Sequence, residues 1–295
     1  MILVTGATGT TGRAVVEGLG RLSGGVRVRV LVRDAGRAVG LPAGVEVVVG
    51  DLGDEASLER ALLGVRAAFL LTCRVGEGDD VRFVRAARAA GVGRVVKLSA
   101  AAVTDPQAGD VVTCWQREAE AVVCGSGLEW TLLRPRAFMS NTLGWAASVK
   151  AERVVRALCA TSRNACVDPR DVAAVAVCAL TGPGHAGRAY TLTGPQALTV
   201  QEQARELGRQ LGVELGVEEL GREAARAVWA RRYPPLVVEA LLDSACRQRA
   251  GAKQVVEPAV AVLLGRPARS YGDWVGDHLD AFRLSGSRGA GAPVG

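Results

Sequence analysis

The sequence predicts an α/β protein built on a doubly wound parallel sheet, and three observations carry that prediction. Short apolar runs alternate with longer amphipathic stretches through the first half of the chain. The runs are continuously apolar, the pattern of strands covered on both faces. The intervals between them fit helical crossovers, which are right-handed almost without exception. Of the 295 residues, 49% are apolar and 22% charged, enough for a sizeable core and too apolar for a disordered chain.

The strand-like runs fall at 1–5, 27–32, 45–49, 67–72, 94–99 and 130–134, with helical stretches near 10–22, 55–63, 78–90 and 115–124. The second half breaks this rhythm. Asp168-Pro169-Arg170-Asp171 precedes an alanine- and valine-rich helix reaching about Leu180, and a strand at 189–192 ends in Thr193-Gly194-Pro195. Helices near 199–211, 221–232 and 236–247 follow. Thr199 and Glu202 fit a capping box, and Pro234-Pro235 must lie between helices. Residues 195–265 read as a small, mainly helical lobe. The expected organisation is a nucleotide-binding domain over 1–194, a substrate lobe over 195–283 and a Gly/Ser-rich disordered tail over 284–295.

Net charge is +6, and only three of the 36 basic residues are lysines (Lys97, Lys150, Lys253). The arginines are spread along the chain without a basic block interleaved with aromatics, which argues against nucleic acid as a partner and leaves a polyanionic small molecule open. No apolar run reaches the roughly 18 to 20 residues of a membrane span. The start of the chain carries no signal-peptide pattern, so the expected location is cytoplasmic. Seven scattered cysteines include no C-x-x-C pair, and with two histidines (His185, His278) no zinc ligand set exists. Most of these cysteines read as small core hydrophobes. Neither a metal nor a disulfide is expected.

The strongest chemical signal is Thr5-Gly6-Ala7-Thr8-Gly9-Thr10-Thr11-Gly12, directly after the first strand and opening the first helix. Gly6 permits the tight turn, Gly9 lets a diphosphate approach the backbone, and Gly12 lets helix and sheet pack closely. The helix N-terminus adds unpaired N–H groups and a partial positive charge. This is the dinucleotide-binding signature of a Rossmann sheet. At the end of the second strand, Leu31-Val32-Arg33-Asp34 offers both ribose partners. Arg33, with Arg37 one turn later, favours the 2′-phosphate of NADP over the 2′-hydroxyl of NAD, and Asp34 then caps or sits in solvent. After the third strand, Asp51 either holds the adenine edge or caps the helix that begins near Glu55.

These residues, in this order and spacing, resemble the NmrA-like, NAD(P)H-binding branch of the atypical short-chain dehydrogenase/reductase superfamily. The resemblance continues through Ser126-Gly127-Leu128-Glu129-Trp130-Thr131-Leu132-Leu133-Arg134-Pro135 with Phe138-Met139-Ser140-Asn141, through Val167-Asp168-Pro169-Arg170-Asp171-Val172-Ala173 with Tyr190-Thr191-Leu192-Thr193-Gly194-Pro195, and to Leu264-Gly265-Arg266-Pro267 with Asp277-His278 and Phe282. It implies a cofactor site at Gly6, Thr8, Gly9, Thr11, Gly12, Arg33, Asp51, Leu52, Thr72, Ser99 and Pro135, with Phe138 bordering the nicotinamide. NADPH-dependent quinone reductases, imine and ketone reductases, and cofactor-sensing regulators all belong to that branch.

One departure shapes the expected chemistry. Typical dehydrogenases of the superfamily carry Tyr-x-x-x-Lys on the helix spanning 115–124; here it reads Trp115-Gln116-Arg117-Glu118, and the chain's tyrosines (190, 233, 271) lie elsewhere. Many relatives in the branch have histidine where Gln116 stands. Reduction of a plain ketone needs an acid beside the developing alkoxide. A quinone, iminium or activated enone stabilises its own reduced form and needs hydride positioning instead. The expectation is therefore NADPH-dependent reduction of a small aromatic or quinonoid acceptor, with oligomeric state left open and the proton coming from water, Ser99 or an orienting Gln116. Trp115 and Trp145 either line an aromatic pocket or belong to the core, and Lys97 reads as a side chain snorkelling from a strand end. His278 and Ser126 read as structural. The alternatives are a cofactor-sensing regulator without turnover and a non-redox cyclase or isomerase.

Overall fold

A computed structural model describes residues 1–22 and 25–283; the tail expected over 284–295 lies outside the described residues. The chain runs β1 (Ile2–Thr5), α1 (Thr10–Gly20), β2 (Val28–Val32), β3 (Glu46–Val49), α2 (Glu55–Leu62), β4 (Ala67–Leu70), α3 (Asp79–Ala89), β5 (Arg94–Leu98), α4 (Val111–Cys124) and β6 (Glu129–Pro135). It continues α5 (Ala146–Glu152), β7 (Val154–Ala157), α6 (Pro169–Thr181), β8 (Arg188–Leu192), α7 (Val200–Leu211), β9 (Gly216–Glu219), α8 (Arg222–Ala230), α9 (Pro235–Arg249), α10 (Ala259–Leu264) and α11 (Tyr271–His278).

Seven strands form one parallel sheet in the order β3-β2-β1-β4-β5-β6-β8, so the order reverses at β1 and a crevice opens there at the carboxyl edge. Alternate residues of the strands feed two cores. Ile2, Val4, Val30, Phe69 and Val96 pack under α1, α6 and α10. Leu3, Leu31, Ala68, Leu70 and Val95 pack under α2, α3 and α4. Each fully buried Leu, Ile, Val or Phe contributes about 1.5–3 kcal/mol, which is why the period-two alternation dictates the register.

Beyond β6 the mainly helical lobe also contains a strand. Val154–Ala157 and Gly216–Glu219 form a second, two-stranded parallel sheet, which joins residues on both sides of position 194. A further core of Met139, Val155, Leu207, Trp274 and Phe282 lies beside it. α10 returns to the main core through Val260, buried against α6 and β8. The Thr199–Glu202 capping box is present, and Pro235 opens α9. Among the described residues no helix is long and apolar enough to cross a membrane.

Candidate active site

The site is built from the end of β1. Thr5 Oγ1 accepts from the Leu71 amide at 2.7 Å and donates to the Leu71 carbonyl at 3.0 Å, which fastens β1 to the end of β4. Gly6 then takes φ +66°, a left-handed turn that a side chain would strain. Its carbonyl accepts from the Gly9 amide at 3.0 Å, closing the loop under α1. A methyl group at Gly12 would run into that same Gly6 carbonyl, so only glycine lets the helix sit this close. At Gly9 a methyl would meet nothing of the protein nearer than 3.5 Å. Among the described residues nothing therefore fills the space above Gly9. No side chain caps the N-terminus of α1 and its first turn holds no acid. The open amides, the positive helix end and the room over Gly9 fit a dinucleotide diphosphate.

A groove of about 490 Å³ runs from this loop along the carboxyl edge. Gly6, Thr8, Gly9 and Thr11 line its centre; Arg33, Asp51 and Leu52 line one end and Phe138 the other. Asp34 has turned away, accepting the Gly36 amide at 2.8 Å as the cap of a short turn, which leaves Arg33 and Arg37 as the charges that the segment after β2 gives to the groove. Asp54, not Asp51, caps α2. Asp51 accepts from the Gly53 amide and from Arg74 Nη2, both at 2.6 Å. Burial works against its ionisation, but these two donors outweigh it and hold its carboxyl below the usual range. Phe138 is fixed because its neighbours pair with Val167: Val167 donates to Ala137 and Met139 donates to Val167, each at 2.9 Å.

Four expected site residues stand behind the groove wall. Gly12 packs under the loop. Pro135 ends β6 opposite Leu192. Thr72 donates to Asp80 at 3.1 Å. Ser99 donates its amide to the Leu133 carbonyl at 2.7 Å, and its buried Oγ finds no partner among the described residues, a hydroxyl left over at the carboxyl edge.

The groove also has a wall that sequence reasoning missed. Arg74 reaches from the loop after β4 to Asp51 and, at 2.7–2.9 Å, to Asp79, which is buried at the start of α3. The available signal was the acidic pair Asp79-Asp80 itself, since buried acids demand cationic partners.

Lys97 answers the second of those acids, and the snorkelling expectation is wrong. Its side chain is fully buried on the α3–α4 face. Nζ donates to the Leu98 carbonyl at 2.6 Å and to Thr72 Oγ1 at 3.1 Å, and stands 3.5 Å from both Asp80 and Gln116 Oε1. Burial pushes its pKa down, and Asp80 and Glu120 work against that shift. Trp115 is buried with Nζ 5.9 Å from its ring, so it walls this network and does not line the groove. Trp145 packs against the core of the second lobe. His278 is structural: it stacks on Trp274 at 4.3 Å, with Nδ1 2.7 Å from the Trp274 carbonyl. Ser126 sits in its turn, donating to Val123. Of the cysteines, Cys159 is buried, whereas Cys73, Cys124 and Cys246 are exposed, contrary to the expectation of core thiols. Cys73 lines the groove.

Residues 6–183 match a family described as NAD(P)H-binding. The chain belongs to this family. It sits in the NmrA-like branch of the atypical short-chain dehydrogenases/reductases, as its motifs implied. It is 55% identical over 282 residues to the (4-alkanoyl-5-oxo-2,5-dihydrofuran-3-yl)methyl phosphate reductase of Streptomyces griseus, covering 96% of this chain and 99% of that protein. It is 34% identical over 286 residues to the NAD(P)H azoreductase of Xenophilus azovorans, with 96% and 99% covered. The structure superposes on an NADPH complex of the Escherichia coli quinone oxidoreductase QOR2 with a TM-score of 0.83 at 28% identity, covering 94% of this chain and 99% of that one.

Proposed function

We propose that this protein is an NADPH-dependent reductase whose acceptor is an acylated butenolide carrying a phosphomonoester, the substrate class in the name of its Streptomyces griseus relative. The observation that carries this reading is 55% identity across nearly the full length of both proteins. It agrees with a groove whose neighbouring helix α4 contains no tyrosine.

Bound NADPH supplies a hydride. The residues of this chain orient it. The α1 amides and the glycine loop hold the diphosphate, Arg33 and Arg37 take the 2′-phosphate, Asp51 takes the adenine side, and Phe138 covers the nicotinamide end. In the acceptor, the ring C3=C4 bond is conjugated at C4 with both the lactone and the alkanoyl carbonyl. Hydride addition at C3 leaves an electron pair at C4 that spreads onto both carbonyl oxygens. One proton, taken from water, completes C4, so one NADPH and one proton are consumed per double bond. A stabilised enolate of this kind needs no acid at the moment of transfer, which accounts for a site without the Tyr-x-x-x-Lys pair. Quinones and azo compounds are electrophilic in the same sense and serve as weaker acceptors. The Rossmann unit over 1–194 supplies the cofactor site, and the lobe over 195–283, with β7 joined to it, closes over the acceptor.

The test is NADPH oxidation, followed in the near ultraviolet, with the phosphorylated acyl butenolide, a quinone and an unactivated ketone. Turnover should rank in that order, with none for the ketone. Tight NADPH binding with no oxidation by the butenolide overturns the reading.

A further inference from the structure

We propose that Arg136 and Lys253 form a phosphate-binding subsite that receives the phosphomonoester of the acceptor. The inference rests on the proposed function for the identity of the ligand, and on the following observations for the site.

Arg136 is the first residue past β6. Its amide donates to the Leu192 carbonyl at 2.9 Å, so its side chain departs from the carboxyl edge of the sheet, where ligands of doubly wound folds bind. It precedes Phe138, the nicotinamide-end wall of the groove, by two residues. Its Nη1 donates to the Ala252 carbonyl at 3.2 Å, and its Nε is buried with no hydrogen-bond partner among the described residues. Lys253 follows Ala252 directly. Among the described residues its side-chain hydrogen bond is a 3.5 Å one to Gln248 Oε1, an acceptor already shared with Asn164 Nδ2 at 3.3 Å. Neither cation makes an ion pair among the described residues.

Several other buried or half-buried cations here are answered by carboxylates, and half-buried Arg117 by three backbone carbonyls. Arg134 grips Glu120, Arg29 grips Glu46, and Lys97 faces Asp80. Arg247, the neighbouring cation at the end of α9, is held by Asp110 at 2.7 Å and Asp105 at 3.4 Å. Glu257 and Asp105 act on Arg136 only at longer range. Two adjacent, partly buried cations with no carboxylate in direct contact among the described residues are costly to fold, and a dianion bound between them would offset that cost. A guanidinium and an ammonium together match a phosphomonoester, the first with forked donors and the second with a point charge. Burial together with Arg247 and Arg136 holds the Lys253 pKa down, at about 8, as expected for an ammonium waiting for an anion. The backbone that carries Lys253 is tied down: Ala165 donates to the Lys253 carbonyl at 2.9 Å and Ala252 to the Arg247 carbonyl at 3.1 Å.

The experiment compares kcat/KM for the phosphorylated and dephosphorylated acyl butenolide in the wild type, Arg136→Gln and Lys253→Met. In parallel, inorganic phosphate is titrated by calorimetry into each NADP⁺-loaded protein. The wild type should prefer the phosphorylated acceptor, and each variant should lose at least tenfold of that preference and of phosphate affinity, with Arg136→Lys restoring part of it. A preference unchanged in both variants overturns the subsite. If Arg136→Gln fails to fold, Lys253→Met decides alone. If the wild type reduces neither butenolide, the functional reading falls and the phosphate titration decides the subsite: binding lost in Lys253→Met sustains it, and no binding to the wild type overturns it.

Discussion

Two helices open side by side at the carboxyl edge of the sheet, and their N-termini are finished in opposite ways. α1 and α6 pack on the same face and against one another. α6 begins with Asp168 accepting the Arg170 amide at 2.8 Å, Pro169 in its first turn and Asp171 following. Both carboxylates are fully buried, and Arg170, Arg266 and Arg269 close around them at 2.7–3.0 Å, tying residues 266–277 to the helix. α1 begins with glycine, no capping side chain and no acid. The positive end of α6 is thus neutralised by the chain itself, while that of α1 is left for a ligand. A helix N-terminus is not a binding site by virtue of its dipole. It becomes one where the sequence withholds its own anion and supplies glycine in place of bulk.

The largest effect should come from breaking the filled end. Asp168→Ala removes the cap and leaves Asp277 as the carboxylate shared by Arg170 and Arg269, at a cost of about 2–4 kcal/mol. Urea unfolding should show that loss, while NADPH affinity of the folded fraction changes little. If stability falls by less than about 1 kcal/mol, the cluster is a surface ornament and the contrast with α1 loses its meaning.

Next comes the open end. Gly9→Ala adds a methyl that touches nothing closer than 3.5 Å in the protein, so the melting temperature should stay near that of the wild type. NADPH affinity should nevertheless fall on the order of 100-fold, because the diphosphate needs that space. Gly12→Ala drives a methyl into the Gly6 carbonyl and should lower stability and affinity together. A Gly9→Ala protein that still binds NADPH normally would show that the groove holds its ligand elsewhere.

A smaller change should separate the two coenzymes. Arg33 and Arg37 share the end wall of the groove. Arg33→Ala should raise the KM for NADPH about tenfold, the worth of one partly solvated charge-assisted contact, and leave NADH unaffected. Equal losses for both coenzymes would place Arg33 on the shared half of the dinucleotide instead.

How far the sequence could be read follows from how local each feature is. The glycine loop, the alternating strands and the Thr199 cap are written in consecutive residues, and all three stand where the sequence puts them. The β7–β9 sheet joins two four-residue segments far apart in the chain, one carrying Arg156 and the other Glu218 and Glu219. Neither segment has a strand signal by itself; the partner supplies it. Lys97 was misjudged for the same reason, since its partners Thr72, Asp80 and Gln116 come from three other elements. Whether Asp51 caps a helix turned on Asp54, three residues away, which the local pattern allowed equally.

The finest prediction concerns pH and extends the contrast to a second open site. At Lys253 the anion is again withheld, but here the waiting charge can titrate. The groups acting on it are Arg136 and Arg247, which push its pKa down, and the Cys166 and Cys159 thiols, which push it up when ionised. Burial raises both thiols, Cys166 to about 11, so neither ionises near neutrality. Arg247 is paired with Asp110 and Asp105. That leaves Lys253, near 8, as the group of this cluster that titrates between pH 7 and 9. A phosphomonoester is already a dianion there, its second pKa being about 6. Protonated Lys253 favours the anion, so kcat/KM for the phosphorylated acceptor should fall several-fold as pH rises through 8, because kcat/KM reports the free enzyme. The dephosphorylated acceptor should show no such fall. Lys253→Arg, which keeps its charge across the range, should flatten the profile while retaining the preference for phosphate. If the decline persists in Lys253→Arg, the titrating group lies elsewhere and the pH dependence says nothing about this subsite.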